Sequence, residues 1–176
     1  MRPFIQFSSR NIQKSSEYYL AFQVEDDIFA ANFPKIAGFS KEFKFLPSDG
    51  KVSFIAGTAF VNEEPIVVID LKRKIGMIQD VNLNSGKLII VETELFETKF
   101  KFAIAYNTLG DAFEIPVNKM LPVPNIGKHF EEGFVKGMHI HADKCILILN
   151  FETLFNIDDF IDIMVEFNKN KKIELS

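Results

Sequence analysis

Apolar residues in this chain come in short bursts separated by polar turns, and the bursts have the length of strands. Tyr19 to Val24 and Ile28 to Phe33 flank the acidic trio Glu25-Asp26-Asp27. Two apolar runs around a solvated turn predict a β-hairpin. Residues 41–51 are polar, carry Pro47 and the pair Asp49-Gly50, and predict a loop. Val52 to Val61 and Ile66 to Ile69 predict a second hairpin around Asn62-Glu63-Glu64. Pro65 opens the returning strand, where its missing N–H costs least. The pattern then changes: Leu71 to Gly76 predicts a helical turn or two, with Asp70 as cap and Gly76 as stop. A polar linker, Gln79 to Gly86, follows. Beyond it lie strands at Lys87 to Glu92, Lys99 to Tyr106 and Ala112 to Pro116, and a loop around Pro122 to Glu132. A last hairpin runs from Phe134 to His141 and from Cys145 to Leu149. Asp158 to Lys172 is a helix: aspartates open it, Phe160, Ile161, Met164, Val165 and Phe167 form its apolar side, and lysines close it.

The second half repeats the first. Phe54-Ile55-Ala56-Gly57 returns as Phe134-Val135-Lys136-Gly137, eighty residues later, and Ile66 to Leu71 returns at the same spacing as Ile146 to Phe151. A second echo sets Phe29-Ala30, Phe33 and Ile36 against Phe102-Ala103, Tyr106 and Leu109. A repeat of this size means one supersecondary unit used twice. Each half is too small for a thick core, so two small barrels with two modest cores follow. Gly57 and Gly137, each inside a strand pattern, mark a sharp bend or a close backbone approach.

Composition narrows the function classes. The chain has 176 residues, 47% of them hydrophobic and 25% charged, which bounds it to one domain or two small lobes and excludes a disordered chain. Twenty Phe and no Trp are bulk filling for small barrels, with some left for grooves. The single cysteine, Cys145, has no internal partner and implies a reducing compartment. A net charge of −4 gives no nucleic-acid footprint. No signal-peptide pattern is expected at the start, because Ser8 to Ser16 is polar, and no apolar run has the length of a membrane span.

Catalytic constellations are missing. The sequence holds no Gly-rich phosphate loop, no G-x-S-x-G elbow and no H-E-x-x-H helix. Its paired acids, Asp26-Asp27, Glu63-Glu64, Glu131-Glu132 and Asp158-Asp159, fall at turns or helix starts, where solvated carboxylates belong. The sharpest chemical alternative is His139-x-His141 with Cys145: two imidazoles on one strand face and a thiolate across a hairpin are zinc-ligand types, although a fourth ligand is missing. The competing reading is an exposed face with two histidines beside a buried, inert Cys145. His129 is a lone loop histidine. Lys72-Arg73-Lys74 fits a solvated helix face.

The segment Phe54 to Gly76 resembles the signature of the CheW-type chemotaxis coupling domain, with Ile55, Gly57, Val61, Val68, Asp70, Leu71 and Gly76 at matching spacing. Upstream, Tyr19 to Phe22, Phe29-Ala30 and Ile36 resemble that family's opening hairpin and the strand after it. Downstream, Phe134 to Gly137 and Ile146 to Phe155 resemble its closing hairpin and short helix. The resemblance covers about residues 17–157. It implies a mainly β fold of two pseudo-symmetric five-stranded barrels of the Src-homology-three kind, with short helices. The lobes would divide near 77–86, and residues 158–176 would add a C-terminal helix and tail.

It also implies a non-enzymatic cytoplasmic adaptor without cofactor, associated with membrane-bound receptor arrays. Its partners would be the chemoreceptor cytoplasmic tip, the regulatory domain of a CheA-type histidine kinase and other CheW-like proteins. Carried over by position, the receptor- and kinase-binding residues are Ile36, Gly38, Phe39, Gly57, Val61 and Asn62. Two positions depart from the family pattern: Asn62 stands where the family has Arg, and Gly38 where it has an acid. These departures keep open a paralogue that binds receptors or adaptors in the array without activating the kinase. A metal- or ligand-binding barrel is the third reading.

Overall fold

A strand buried on one face alternates apolar and polar side chains; a strand buried on both reads as an unbroken apolar run. The runs Ile66–Ile69, Leu88–Val91 and Ile146–Leu149 are of the second kind, and every residue in them is buried. The computed structural model describes residues 16–77, 86–123 and 133–174. His129, Glu131-Glu132, most of the expected linker and residues 124–132 lie outside these.

The elements are β1 (Ser16–Val24), β2 (Asp27–Asn32), β3 (Ile36–Ser40), β4 (Lys44–Pro47), β5 (Ile55–Val61), β6 (Glu64–Ile69), α1 (Leu71–Lys74), β7 (Leu88–Leu95), β8 (Thr98–Ala105), β9 (Thr108–Pro116), β10 (Val135–His141), β11 (Lys144–Leu149) and α2 (Ile157–Glu174). They form a five-stranded sheet, ordered β10-β11-β2-β1-β9, and a six-stranded sheet, ordered β3-β7-β8-β6-β5-β4. Strand β4 falls where a loop was expected. Its hydrogen bonds to β5 run from Lys44 opposite Phe60 to Pro47 opposite Gly57. In the other sheet a single bridge, Leu121 opposite Met138, stands in the corresponding place against β10.

Both sequence echoes appear as geometry. In one sheet β6 pairs parallel with β8, Val67 opposite Phe102. In the other β11 pairs parallel with β2, Leu147 opposite Phe29. The pairing also crosses the expected lobe division. The opening hairpin β1–β2 joins β9, β10 and β11, and the hairpin β7–β8, downstream of residues 77–86, joins β3 to β6. The repeats meet at that linker in sequence, but each lends its first hairpin to the other's sheet.

The two glycines do what their position implied. The ladder shifts register between Ile55 and Gly57 and again between Val135 and Gly137. A Cβ at Gly57 would stand 2.2 Å from the Leu46 carbonyl oxygen; one at Gly137 would stand 2.4 Å from Met120 Cγ and 2.8 Å from the Leu121 carbonyl. Each glycine admits a close-lying segment at a β-bulge, strand β4 at Gly57 and the bridge segment Met120-Leu121 at Gly137.

The exchange of hairpins reshapes the core. Two modest cores do exist, one inside each curled sheet: Tyr19, Ala21, Ala30, Phe113, Ile115, Ile146 and Ile148 in one, and Ala59, Ile66, Val68, Leu88, Ile90, Ala103 and Ala105 in the other. The largest cluster lies between the sheets and takes the alternate residues of the same strands, such as Phe29, Val67, Ile69, Ile89, Phe102, Leu147 and Leu149. The Phe surplus belongs there, not inside the barrels: Phe22, Phe29, Phe54, Phe100, Phe102, Phe134, Phe151 and Phe155 all lie in that central layer. Helix α2 docks on it through Ile163, with Phe160 and Phe167 beside it, and a buried Asn170 Nδ2 donates to Thr58 Oγ1 at 2.6 Å on β5. Ile161 and Val165, expected on the inward side, point to solvent.

Candidate functional site

Strand β3 is an edge of the six-stranded sheet and carries three of the expected docking residues. Ile36 lies opposite Val91 and packs half-buried on the central cluster; Gly38 lies opposite Ile90; Phe39 lies opposite Ile89 with 47% of its surface exposed. Just before β3, Phe33 is also exposed, in the 3₁₀ turn Phe33–Lys35 whose chain direction Pro34 helps fix. An edge strand offers unpaired backbone groups, and these exposed rings add apolar area to them. Gly38 has no atom within 4 Å of where a Cβ would be, so an acidic side chain fits there.

The other three expected residues lie on the β5–β6 hairpin. Val61, half-buried, faces the interior of the six-stranded sheet. Asn62 and Glu63 form its turn with φ of 50° and 66°, the left-handed conformation of a type I′ turn. Gly57 is buried beneath Phe45 and Leu46 and presents nothing to a partner.

The pseudo-equivalent edge of the five-stranded sheet is built differently. Positions 38 and 61 correspond to Asp111 and His141, whose side chains pair at 3.0 Å across the gap between the edge strands β9 and β10. Both His139 and His141 stack on Phe113 of β9, at 5.0 Å and 5.5 Å between centroids. Burial, and then the neighbouring His141 charge, holds the His139 imidazole below its ordinary value. A cleft of about 260 Å³ at this seam is lined by Leu109, Asp111, His141 and Lys144.

The hairpin register does not bring the three candidate zinc ligands to one face. Cys145 is opposite Ile140, the residue between the two histidines, so it shares the other face of the hairpin with that exposed isoleucine. Cys145 is exposed, not buried as expected. Among the described residues no three His, Cys, Asp or Glu side chains converge as a metal site.

The basic run is also not a solvated face. Lys72 is fully buried, and its Nζ lies 2.7 Å from Asp27 and 3.3 Å from Glu25, tying α1 at the end of one sheet to the opening hairpin of the other. Lys74 pairs with Asp159 at 3.1 Å and sits 4.3 Å from the centre of the Phe134 ring. Asp70 caps α1 as expected, accepting from the Arg73 N–H at 3.1 Å. The signal for this ion triad was an acidic turn and a basic helix placed in different parts of the sequence, each of which looks solvent-facing by itself.

Residues 18–159 match the CheW-like domain. The chain belongs to the CheW-like family, a family of non-catalytic scaffold and adaptor proteins. Among solved structures it is similar to the scaffolding protein TtCheW from Thermoanaerobacter tengcongensis, with a TM-score of 0.64 and 21% identity over 81% of this chain and 94% of that one. At that identity the likeness speaks for the fold. No curated protein sequence matches. None of the described helices is long and apolar enough to cross a membrane.

Proposed function

We propose that this CheW-like chain couples the cytoplasmic tip of methyl-accepting chemoreceptors to the regulatory domain of a CheA-type histidine kinase, on cytoplasmic arrays attached to the membrane-bound receptors. The observation that carries the reading is the apolar edge at β3 on a scaffold matched across both of its repeats. An open strand edge beside exposed aromatic rings suits docking of a helix tip or another small barrel. Receptor-containing membranes and purified kinase would co-sediment the protein, and Phe39→Asp would weaken that binding about tenfold or more, as truncating an aromatic anchor does. Unchanged binding by Phe39→Asp removes β3 as the contact, and binding to neither partner ends the proposal.

A second reading, an array component that does not activate the kinase, is favoured by Gly38 and Asn62. Together they lack the acid and the bidentate Arg of the family pattern. Gly38 has room for a side chain, so Gly38→Glu combined with Asn62→Arg restores both groups without a clash at position 38. Kinase activation that appears only in this double variant supports the second reading. Activation by the wild-type chain supports the first.

A further inference from the structure

An amphipathic helix on a protein surface carries one apolar face and turns it inward. Helix α2 carries two. Ile163 is buried in the central cluster with Phe160 and Phe167 beside it, while Ile157, Ile161 and Val165 are 55%, 52% and 61% exposed. These three are spaced four apart and form one outward stripe along the helix. Most of α2, with Ile161 and Val165, lies beyond residue 159, where the match to the family domain ends.

Charge along one flank of the stripe states what fits it. Asp158 and Asp162 lie on that flank near the start of the helix, and Lys169 lies on the same flank near its end. A second α2 laid face to face and antiparallel, related by a two-fold axis, keeps the same flank on the same side and reverses the order of charges. With the axis between Ile161 and Val165, each Ile161 packs on the other copy's Val165 and each Asp158 comes within one residue of the level of the other copy's Lys169, about 1.5 Å along the helix and within reach of its long side chain. A parallel pair, whose two-fold axis runs along the helices, would carry the same flank to opposite sides of the seam, where neither Asp158 nor Lys169 meets an opposite charge. We propose that this protein self-associates through α2, as an antiparallel helix pair between two copies joined by Ile157, Ile161 and Val165 and flanked by reciprocal Asp158–Lys169 contacts. The proposal does not depend on which receptor or kinase the adaptor serves. An 18-residue helix pair is about 27 Å long and offers less than a standard interface, so the dimer is weak and fills where copies are concentrated.

Sedimentation velocity of the full chain tests it, over about 10 μM to 1 mM, the range in which so small an interface assembles. The wild-type protein is expected to shift from monomer to dimer with concentration, and Ile161→Asp to raise the dissociation constant about tenfold or more. Asp158→Lys and Lys169→Asp should each weaken the dimer by like-charge contact. An equimolar mixture of those two variants should recover it as a heterodimer, because every flanking pair is then opposite in charge. That arm does not depend on Ile161→Asp folding well, and it separates the interface from the loss of the Lys169–Asp49 contact at 3.7 Å within one chain. A wild-type chain that stays monomeric throughout overturns the proposal, whatever else is found to bind the stripe. So does a dimer indifferent to Ile161→Asp, or a mixture that fails to recover.

Discussion

The two places where the sheets exchange hairpins are related by the internal repeat, yet they are held by opposite chemistry. At one, buried Lys72 of α1 reaches the partly solvated Asp27 and Glu25 on the β1–β2 hairpin. At the other, the position of Asp27 is taken by Phe100, and the residue corresponding to Lys72 is Glu152, exposed to solvent. Aromatic rings do the joining there: Phe100 meets Phe155 and Phe160 at 6.2 Å and 5.3 Å, and Phe102 meets Phe151 and Phe155 at 5.7 Å and 5.1 Å. One backbone arrangement thus tolerates either solution. The aromatic junction gains from area and dispersion, which are nondirectional and insensitive to pH. The ionic junction specifies which hairpin docks, but only while all its members are present.

Breaking the aromatic junction should cost most. Phe102 is fully buried and meets two rings on the segment that joins β11 to α2. Phe102→Ala is expected to lower unfolding stability by about 4 kcal/mol, the transfer term plus a cavity that the stiff sheets cannot collapse. Urea denaturation gives the value, and it should be the same at neutral and alkaline pH. A loss below about 1 kcal/mol would mean that the rings are loosely packed and the contrast between the junctions is false.

The ionic junction should break less severely and with a pH signature. Asp27→Ala takes from buried Lys72 its nearest carboxylate, a loss of about 2–3 kcal/mol, moderated because the carboxylates are partly solvated. Burial works against the Lys72 ammonium, but hydrogen bonds to Asp27 and Glu25 and the charges of both outweigh it and hold its pKa above the ordinary 10.5. A value raised by folding means that this stabilisation is complete below the unfolded value and is lost as pH climbs through the folded one. The stability gap between wild type and Lys72→Met should therefore be constant to about pH 10 and narrow above it. Tyr19 loses stability in the same alkaline window, because burial, its hydrogen bond to Glu17 and the Glu17 charge raise its phenol as well. Measuring the gap, not the wild type alone, cancels that contribution. A gap that stays constant into strong alkali would show Lys72 acting as a spacer instead of a charge.

The repeat was legible because strands buried on both faces keep their apolar runs, and two copies of one unit keep the same spacing of Phe, Gly and branched residues. The exchange of hairpins was not, because Val67 pairs with Phe102 across a long stretch of chain and an echo says which segments are equivalent without saying which copy each pairs with. Strand β4 was missed because Pro47 and the following Asp49-Gly50 dominate a segment whose apolar alternation is only Phe43 and Phe45. In the candidate site, Phe39 and Gly57 were both carried over with the family pattern; the structure places Phe39 exposed on an edge strand and Gly57 in the packing of β4. The outward stripe of α2 was hidden because its inner and outer apolar residues interleave, so that the helix reads as one broad apolar side.

The smallest expected effects sharpen the same comparison, since they ask whether the two sheets act as one cooperative unit. The corresponding hairpins end in turns of the same geometry, Asn62-Glu63 at φ 50° and 66° and Ala142-Asp143 at φ 50° and 62°. Side chains other than Gly, Asn and Asp are strained in this conformation. Glu63→Gly and Ala142→Asn each relieve one strained position, and each is expected to add about 0.5–1 kcal/mol, measured as a shift in the urea midpoint. The two turns sit in different sheets and share no partner, so their gains should add in the double variant to within a few tenths of a kcal/mol. The central layer of Phe and branched residues makes contact with both sheets. If it binds them into one folding unit, the double variant keeps a single transition with an unchanged denaturant slope. Two separable transitions, each moved by only one of the substitutions, would show that the hairpin exchange joins the sheets without making them fold together.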